Sequence, residues 1–213
     1  MATLEHGERP SVAGLVTTAR VLAILLFTLV EVGALTVWLT LSLDASLASG
    51  VAALGLGILT VGLAVEYVLT DLTVNGFDLA APSWSVVAFS LTEALLWVLW
   101  FVVADSATRP GGFVLAATVL AVALVPQYTV EDNAFRGVPP FATLLDLGTI
   151  GFSVVKACGA TIWLLCVMRP AYVTNWVALE EVLGADPAAL GFGVLALALF
   201  VEHTIAVRYS RVR

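Results

Sequence analysis

Charged residues are scarce in this sequence, and lysine is almost absent. Asp, Glu, Lys and Arg make up 12% of the 213 residues, against about 25% in a typical soluble domain, and Lys156 is the only lysine. Hydrophobic residues make up 61%, and the mean hydropathy is +1.04. This composition excludes an ordinary soluble domain. The net charge of −7 argues against binding to nucleic acid or to anionic lipid headgroups. An acidic chain with so little lysine is also typical of a halophile.

Cysteine is rare as well, and Cys158 and Cys166 are the only two. Their spacing places them about 12 Å apart along a single helix, whereas a disulfide needs Cα atoms within about 7 Å. We therefore predict two free thiols that act as small core residues. The sequence also lacks a glycine-rich phosphate-binding motif placed after a strand, and no cofactor is predicted.

Long apolar runs are what the sequence has in abundance. A membrane-spanning helix needs about 20 mostly apolar residues, whereas a strand of a membrane barrel would show about 10 residues of alternating hydrophobicity. The runs here are long and continuous. We therefore predict an all-α polytopic membrane protein, in which residues 1–213 form a single domain with six transmembrane helices. The predicted spans are residues 20–43, 47–70, 84–105, 111–129, 145–168 and 187–207.

Arginine is unevenly distributed between the two sides of such a bundle. With six spans, both termini lie on one side of the membrane. That side carries Arg9, Arg20, Arg136, Arg208, Arg211 and Arg213, and the opposite side carries Arg109 and Arg169. By the positive-inside rule, both termini are predicted to be cytoplasmic. The expected location is the cell membrane, where the lipid bilayer surrounds the protein.

An ionisable residue followed seven positions later by tryptophan occurs three times. The three segments are LVEVGALTVW (29–38), LTEALLWVLW (91–100) and VVKACGATIW (154–163). Self-similarity at a fixed period indicates an internal repeat. Each repeat contains two spans, so successive copies share one topology and are related by an axis along the membrane normal. We therefore predict three helical hairpins around a pseudo-threefold axis, formed by residues 20–71, 84–132 and 145–207.

The ionisable residues of these segments, Glu31, Glu93 and Lys156, lie deep within their spans. Their depth is roughly 13–18 Å, close to the middle of a hydrocarbon core about 30 Å thick. Seven residues return to nearly the same helix face, so each tryptophan lies on the extracellular side of its partner. One interpretation is a binding site with a tryptophan gate or cap; the other is an internal ion pair below ordinary interfacial tryptophans. The tryptophans are Trp38, Trp100 and Trp163.

A second polar set follows the first, near the predicted cytoplasmic ends of the even-numbered spans. Each member is a polar residue followed by an aromatic residue that can form hydrogen bonds. The pairs are Glu66 and Tyr67, Gln127 and Tyr128, and Glu202 and His203. They are either ordinary polar residues at the membrane interface or a cytoplasmic mouth that collects cations or protons. A histidine here fits the second interpretation, because its charge changes near neutral pH.

The carboxylates in these two sets outnumber the single lysine. Ionisable residues within a membrane are costly and mark ion or proton pathways. We therefore predict a transporter or channel-like protein for a small cation, a proton or a cationic solute. The alternatives are an intramembrane enzyme with a lipid-embedded substrate and a structural membrane subunit. No catalytic residue and no metal site is predicted, although Glu31, Glu66, Glu93, Glu202 and His203 leave a metal assembled across helices as an open alternative.

An insertion distinguishes the third repeat from the other two. Residues 173–184 alternate apolar and polar side chains at near-helical spacing. We predict a short amphipathic helix on the extracellular surface, with its tryptophan at headgroup depth. The alternative is a lid over a vestibule.

Overall fold

The computed structural model describes residues 12–76, 83–106, 110–142, 146–176 and 186–209, and within them the chain is all-helical. Six of the seven helices in these residues are long and apolar enough to cross a membrane, which indicates a multi-pass integral membrane protein. The helices are α1 (Val12–Ser42), α2 (Gly50–Asn75), α3 (Ser83–Asp105), α4 (Pro110–Phe135), α5 (Leu147–Met168), α6 (Pro170–Trp176) and α7 (Pro187–Tyr209).

The observed boundaries follow the predicted spans at most ends, and the exceptions are the start of α1, which is Val12 instead of residue 20, and the ends of α2 and α4. The α2 helix continues to Asn75 and α4 continues to Phe135, well beyond the predicted ends at 70 and 129. Both extensions contain polar residues, such as Asp71 and Asp132, that are buried inside the bundle. A hydropathy criterion stops at polar residues, although a helix continues where those residues face protein instead of lipid.

Helix ends coincide with residues that satisfy or remove free backbone groups. The Ser49 and Asp146 side chains cap α2 and α5 by accepting hydrogen bonds from nearby backbone N–H groups. Proline occupies the first position of α4, α6 and α7, where its missing N–H costs nothing. Gly76 ends α2 with a φ of 73°, a backbone conformation that glycine adopts without strain.

The six long helices form a closed series. Among the described elements, each one packs against the next in the chain, and α7 returns to pack against α1. Glycines allow the closest approaches: a Cβ on Gly62 would overlap Ala34 of α1, and a Cβ on Gly159 would overlap Ala198 of α7. In lipid, such close packing of small residues drives helix association. These two close approaches lie within the predicted first hairpin and the predicted third hairpin.

The predicted amphipathic segment coincides only in part with an observed helix. The seven-residue α6 ends at Trp176, and residues 177–184 lie outside the described residues. The cysteine prediction is half correct. Both thiols are free and Cys166 is buried, but Cys158 is exposed, so its assignment to the core is wrong. Eight residues turn a helix by about 800°, which leaves the two side chains about 80° apart around it.

Tryptophans fill the interior at the end of the bundle opposite the start of α1. Trp38, Trp100 and Trp163 are buried against protein. Trp100 donates a hydrogen bond from Nε1 to Thr161 Oγ1 at 3.0 Å, and Trp38 contacts Phe101 edge-to-face at 5.8 Å. Residues in an interfacial belt would be exposed at the lipid boundary. The interpretation of these tryptophans as ordinary belt residues is therefore wrong, while their role as a gate stays a prediction.

Proline occurs inside one helix, at Pro126 of α4. Proline has no N–H, so the hydrogen bond that residue 126 would otherwise donate to the carbonyl of Val122 is missing. Apart from Thr118, the polar residues of α4 lie beyond this position, from Gln127 to Asn133. The helix therefore has an apolar half before Pro126 and a polar half after it.

Candidate functional site

The predicted binding residues come together in one polar cluster inside the bundle. Every long helix contributes at least one of them, and all are buried except Gln127, which is half-buried. The members are Glu31 of α1, Glu66 and Tyr67 of α2, Glu93 of α3, Gln127 and Tyr128 of α4, Lys156 of α5, and Glu202 and His203 of α7.

Lys156 is the centre of this cluster. Its Nζ lies 2.6 Å from Glu31 Oε1 and 2.6 Å from Glu93 Oε1, so the three central ionisable residues are in direct contact. The same Nζ lies 5.2 Å from the centre of the Tyr128 ring, within the range of a cation–π interaction. The lysine is 2% exposed. Its charge is thus neutralised by two carboxylates on two different helices.

On one side of Lys156, three carboxylates converge on a single imidazole. His203 Nε2 lies 3.1 Å from Glu31 Oε2, 3.2 Å from Glu202 Oε2 and 3.6 Å from Glu66 Oε1. We refer to His203, Glu31, Glu66 and Glu202 as the histidine branch. Within it, a ring nitrogen that carries at most one hydrogen faces the carboxyl groups of three side chains.

The other ring nitrogen of His203 is held by a threonine. Nδ1 lies 2.8 Å from Thr28 Oγ1, and the Thr28 hydroxyl donates its own hydrogen to the carbonyl of Ile24 at 2.7 Å. Because that hydrogen is already used, Thr28 accepts, and Nδ1 carries the hydrogen that is donated. The imidazole is therefore oriented with Nε2 towards the carboxylates.

On the other side of Lys156, the carboxylates meet hydrogen-bond donors. The Tyr67 hydroxyl is in short contact with Glu93 Oε2 and lies 2.5 Å from Glu131 Oε1. Gln127 Nε2 donates to Glu131 Oε1 and, at 3.1 Å, to the carbonyl of Phe89. We refer to Tyr67, Glu93, Gln127 and Glu131 as the tyrosine branch. A phenol has one hydrogen, so its contact with two carboxylates requires a second, shared proton.

The two branches join the two predicted polar layers into one network. His203 links Glu66 and Glu202 to Glu31, and Tyr67 lies against Glu93. One helical turn rises about 5.4 Å, a distance that long side chains such as these can cross. The predicted midplane site and the predicted cytoplasmic mouth are therefore parts of the same site.

The same set of contacts occurs three times around the cluster. In each set, a phenylalanine lies four residues before the central ionisable residue. The phenylalanine and the ionisable residue both contact an aromatic residue of the preceding hairpin, and the third hairpin counts as the one that precedes the first. The ring-centroid distances are 4.7, 6.2 and 5.4 Å. In that order, the sets are Phe27, Glu31 and His203; Phe89, Glu93 and Tyr67; and Phe152, Lys156 and Tyr128.

Sequence reasoning missed several members of this site. Glu131 lies one helical turn after Gln127, beyond the predicted end of its span, and is buried. The three phenylalanines, and a buried hydroxyl residue after each of them, were missed too. Their signal is a short motif, Phe-Ser/Thr-x-x-Glu/Lys, that precedes each tryptophan repeat. The hydroxyl residues are Thr28, Ser90 and Ser153, and each donates to the backbone carbonyl four residues earlier.

A cavity of about 50 Å³ reaches the cluster from one end of the bundle. It has room for a few water molecules, at about 10–15 Å³ of such volume each. Its lining includes Lys156 and Glu93 at the inner end, and Thr70, Phe135 and Val207 in the last turns of α2, α4 and α7. The tryptophans Trp38, Trp100 and Trp163 do not contribute to the lining. The cavity therefore extends towards the end where α1 begins.

The acidic residues at this same end are held by local contacts. Asp132 pairs with Arg136 one turn later. Asn75 donates to Asp71 Oδ1 at 2.7 Å and to the carbonyl of Phe135 at 3.3 Å. These contacts tie the ends of α2 and α4 together, so Asp71 and Asp132 have a structural role at the cavity mouth.

Compared with known proteins, the chain matches no family model, no curated protein and no solved structure. Its own fold and site thus define its class: an integral membrane protein of six long helices around a buried acid–base cluster.

Proposed function

We propose that this chain is a transporter or channel-like protein that moves a small cation, a proton or a small cationic solute through its central polar site. The observation that carries the proposal is the cavity, which reaches Lys156 and Glu93 from one end of the bundle while buried tryptophans fill the other end. Access from one side to a charged site deep in the membrane is what one state of an alternating-access pathway requires.

The charges of the cluster support a cationic solute. Five buried carboxyl groups face Lys156 and His203, so the formal charge is −5 + 2 = −3 when all five are ionised and the histidine is protonated. The shared proton of the tyrosine branch changes it to −4 + 2 = −2. A purely structural ion pair within a membrane would be balanced, because an unpaired buried charge is expensive. The surplus favours a site that exchanges protons or cations. The five carboxylates are Glu31, Glu66, Glu93, Glu131 and Glu202.

The proposed architecture is a set of three hairpins around a pseudo-threefold axis along the membrane normal. The three matching phenylalanine–aromatic contacts support it, because each connects the second helix of one hairpin to the first helix of the next. Lys156 takes the place of a glutamate and His203 the place of a tyrosine. These departures from symmetry make one pose of a bound solute more favourable than its two rotated equivalents.

The proposed orientation places the cavity mouth on the cytoplasmic side of the cell membrane. Arg20, Arg136 and Arg208 lie at the end where the cavity opens, while Arg169 follows α5 at the opposite end. This distribution agrees with the positive-inside rule. Trp38, Trp100 and Trp163 would then form the closed gate towards the outside.

Flux through reconstituted protein tests the proposal. The purified chain in liposomes should carry protons, monovalent cations or small amines down an imposed gradient, as read by a pH-sensitive dye or by tracer uptake. Glu93→Gln keeps the shape of the side chain but removes its charge. Because a hydrogen bond to a charged group is worth about 1.5–3 kcal/mol, flux should fall at least about tenfold.

The matched control is Asp105→Asn, the same chemical change at an exposed position at the end of the same helix. It should leave flux unchanged. Equal losses in the two variants would point to a general effect on folding. If the unmodified protein carries none of these solutes in either direction, the transport proposal is wrong, and an enzyme or a structural subunit takes its place.

A further inference from the structure

The histidine branch has more carboxylate oxygens than hydrogens to bind them. Three of these oxygens lie within 3.6 Å of His203 Nε2, and Glu66 Oε1 receives one further hydrogen bond, from Thr70 at 2.8 Å. Glu202 Oε2 is fully buried and accepts no hydrogen bond from the described residues. Converging carboxylates of this kind repel each other unless a proton or a metal cation lies between them.

The imidazole is oriented for such a cation. In metal sites, a ligating histidine almost always donates its second ring N–H to an oxygen, which fixes the tautomer and leaves the other nitrogen free to bind the metal. Thr28 provides this oxygen for Nδ1, at 2.8 Å. The lone pair of Nε2 then points towards the same space as Glu31 Oε2 and Glu202 Oε2.

The distances from the imidazole nitrogen to the carboxylate oxygens fit a metal ion. Four nitrogen and oxygen donors at about 2.0–2.1 Å from a tetrahedral ion lie roughly 3.3–3.4 Å from one another. The observed distances from Nε2 to the three carboxylate oxygens are 3.1, 3.2 and 3.6 Å. Donor atoms of Glu31, Glu202 and His203 also lie within 4.8 Å of one another.

We propose that His203, Glu31 and Glu202 bind a divalent first-row transition-metal ion such as Zn²⁺. One imidazole with carboxylates suits this class, whereas Ca²⁺ and Mg²⁺ prefer oxygen donors alone. The ion reaches the site through the cavity, whose lining includes Glu66, Glu202 and His203. This proposal does not rest on the proposed transport. The same donor atoms would bind an ion that stays in the protein and an ion that passes through it.

Cobalt binding tests this site directly. Co²⁺ takes the same donors as Zn²⁺ and, when tetrahedral, has a visible absorption band that reports its ligands. Detergent-purified protein without a polyhistidine tag should bind one Co²⁺ per chain in a saturable titration, and Zn²⁺ should displace it. His203→Gln and Glu202→Gln should abolish the band. Thr28→Val, which leaves every donor atom in place, should weaken binding by about 10–100-fold through loss of the orienting contact.

Two matched controls test whether the loss of Co²⁺ binding is specific to the proposed site. His6→Gln makes the same change at the only other histidine of the chain, and Asp71→Asn neutralises another buried carboxylate of α2. Both should bind Co²⁺ like the unmodified protein. The proposal is overturned if the unmodified protein shows no saturable band, or if His203→Gln retains it. It is also overturned if Asp71→Asn weakens binding as much as Glu202→Gln does. The titration of the unmodified protein decides the question even where a variant does not fold.

Discussion

The two branches on either side of Lys156 have similar residues but different hydrogen bonding. In the tyrosine branch, two carboxylates share the donors of Tyr67 and Gln127. In the histidine branch, three carboxylates share one imidazole nitrogen, while Glu31 also contacts Lys156 and Glu66 accepts a hydrogen bond from Thr70. The number of donors thus decides whether a buried acidic cluster is complete in itself or requires a cation. The first branch is closed, and the second is the proposed metal site.

Removal of the lysine that joins the branches should have the largest effect on stability. Lys156→Met leaves Glu31 and Glu93 without the cation 2.6 Å from each of them. Breaking a buried ion pair costs about 3–5 kcal/mol, so thermal denaturation in detergent should show a loss of this size. The double variant with Glu93→Gln should recover part of the loss. An unchanged melting temperature for Lys156→Met would show that the lysine does not hold the branches together.

Metal addition should have the next largest effect, and this effect should depend on the histidine branch. A ligand at 100 times its Kd stabilises the folded state by about 2.7 kcal/mol. Zn²⁺ at this excess should therefore raise the thermal stability of the unmodified protein, and a chelator should reverse the gain. Glu202→Gln should abolish the gain, because it changes the histidine branch, whereas Asp71→Asn should retain it. A gain that persists in Glu202→Gln would place the ion elsewhere.

Loss of the phenol should test the closed branch. Tyr67→Phe removes the one hydroxyl shared by Glu93 and Glu131. A buried polar group left without its partner costs about 1–3 kcal/mol, and thermal denaturation should show a loss in that range with metal binding retained. Tyr172→Phe is the control, since Tyr172 is exposed on α6, and it should have no effect. Equal results for the two variants would contradict the role of Tyr67.

The smallest expected effect concerns the threonine that orients the imidazole. Thr28→Val removes one neutral hydrogen bond to His203, worth about 0.5–1.5 kcal/mol. Thr40→Val is the control on the same helix, because Thr40 is exposed and donates only to the carbonyl one turn before it. If both variants lose the same stability, the contact with His203 contributes nothing beyond the local backbone hydrogen bond.

The sequence predicted the helices well, because hydropathy measures directly what lipid demands of each span. All six spans are present as helices, and the repeat of ionisable residue and tryptophan identified the lysine and two of the glutamates that meet at the centre. These three residues occupy equivalent positions in their spans, so they were expected at the same depth in the membrane. That equal depth was enough to predict that they lie close together. The contact of Lys156 with both Glu31 and Glu93 follows that deduction.

The hydrogen-bonding pattern could not be predicted in the same way. Whether a side chain on one helix meets one on the next depends on the rotation and tilt of both helices, which are set by packing contacts such as Gly62 with Ala34. Glu131 was missed because hydropathy ended its helix too early. Cys158 was misplaced because a spacing along the helix does not indicate which face is turned to the core.

Pro126 has a mechanical consequence for the cavity. The missing hydrogen bond to Val122 makes this the position where α4 bends at the lowest cost. All the α4 residues that line the cavity, Tyr128, Glu131, Asp132 and Phe135, lie beyond that position. A bend at Pro126 would therefore move these four residues together. It would change the width of the cavity mouth without moving the apolar half of α4.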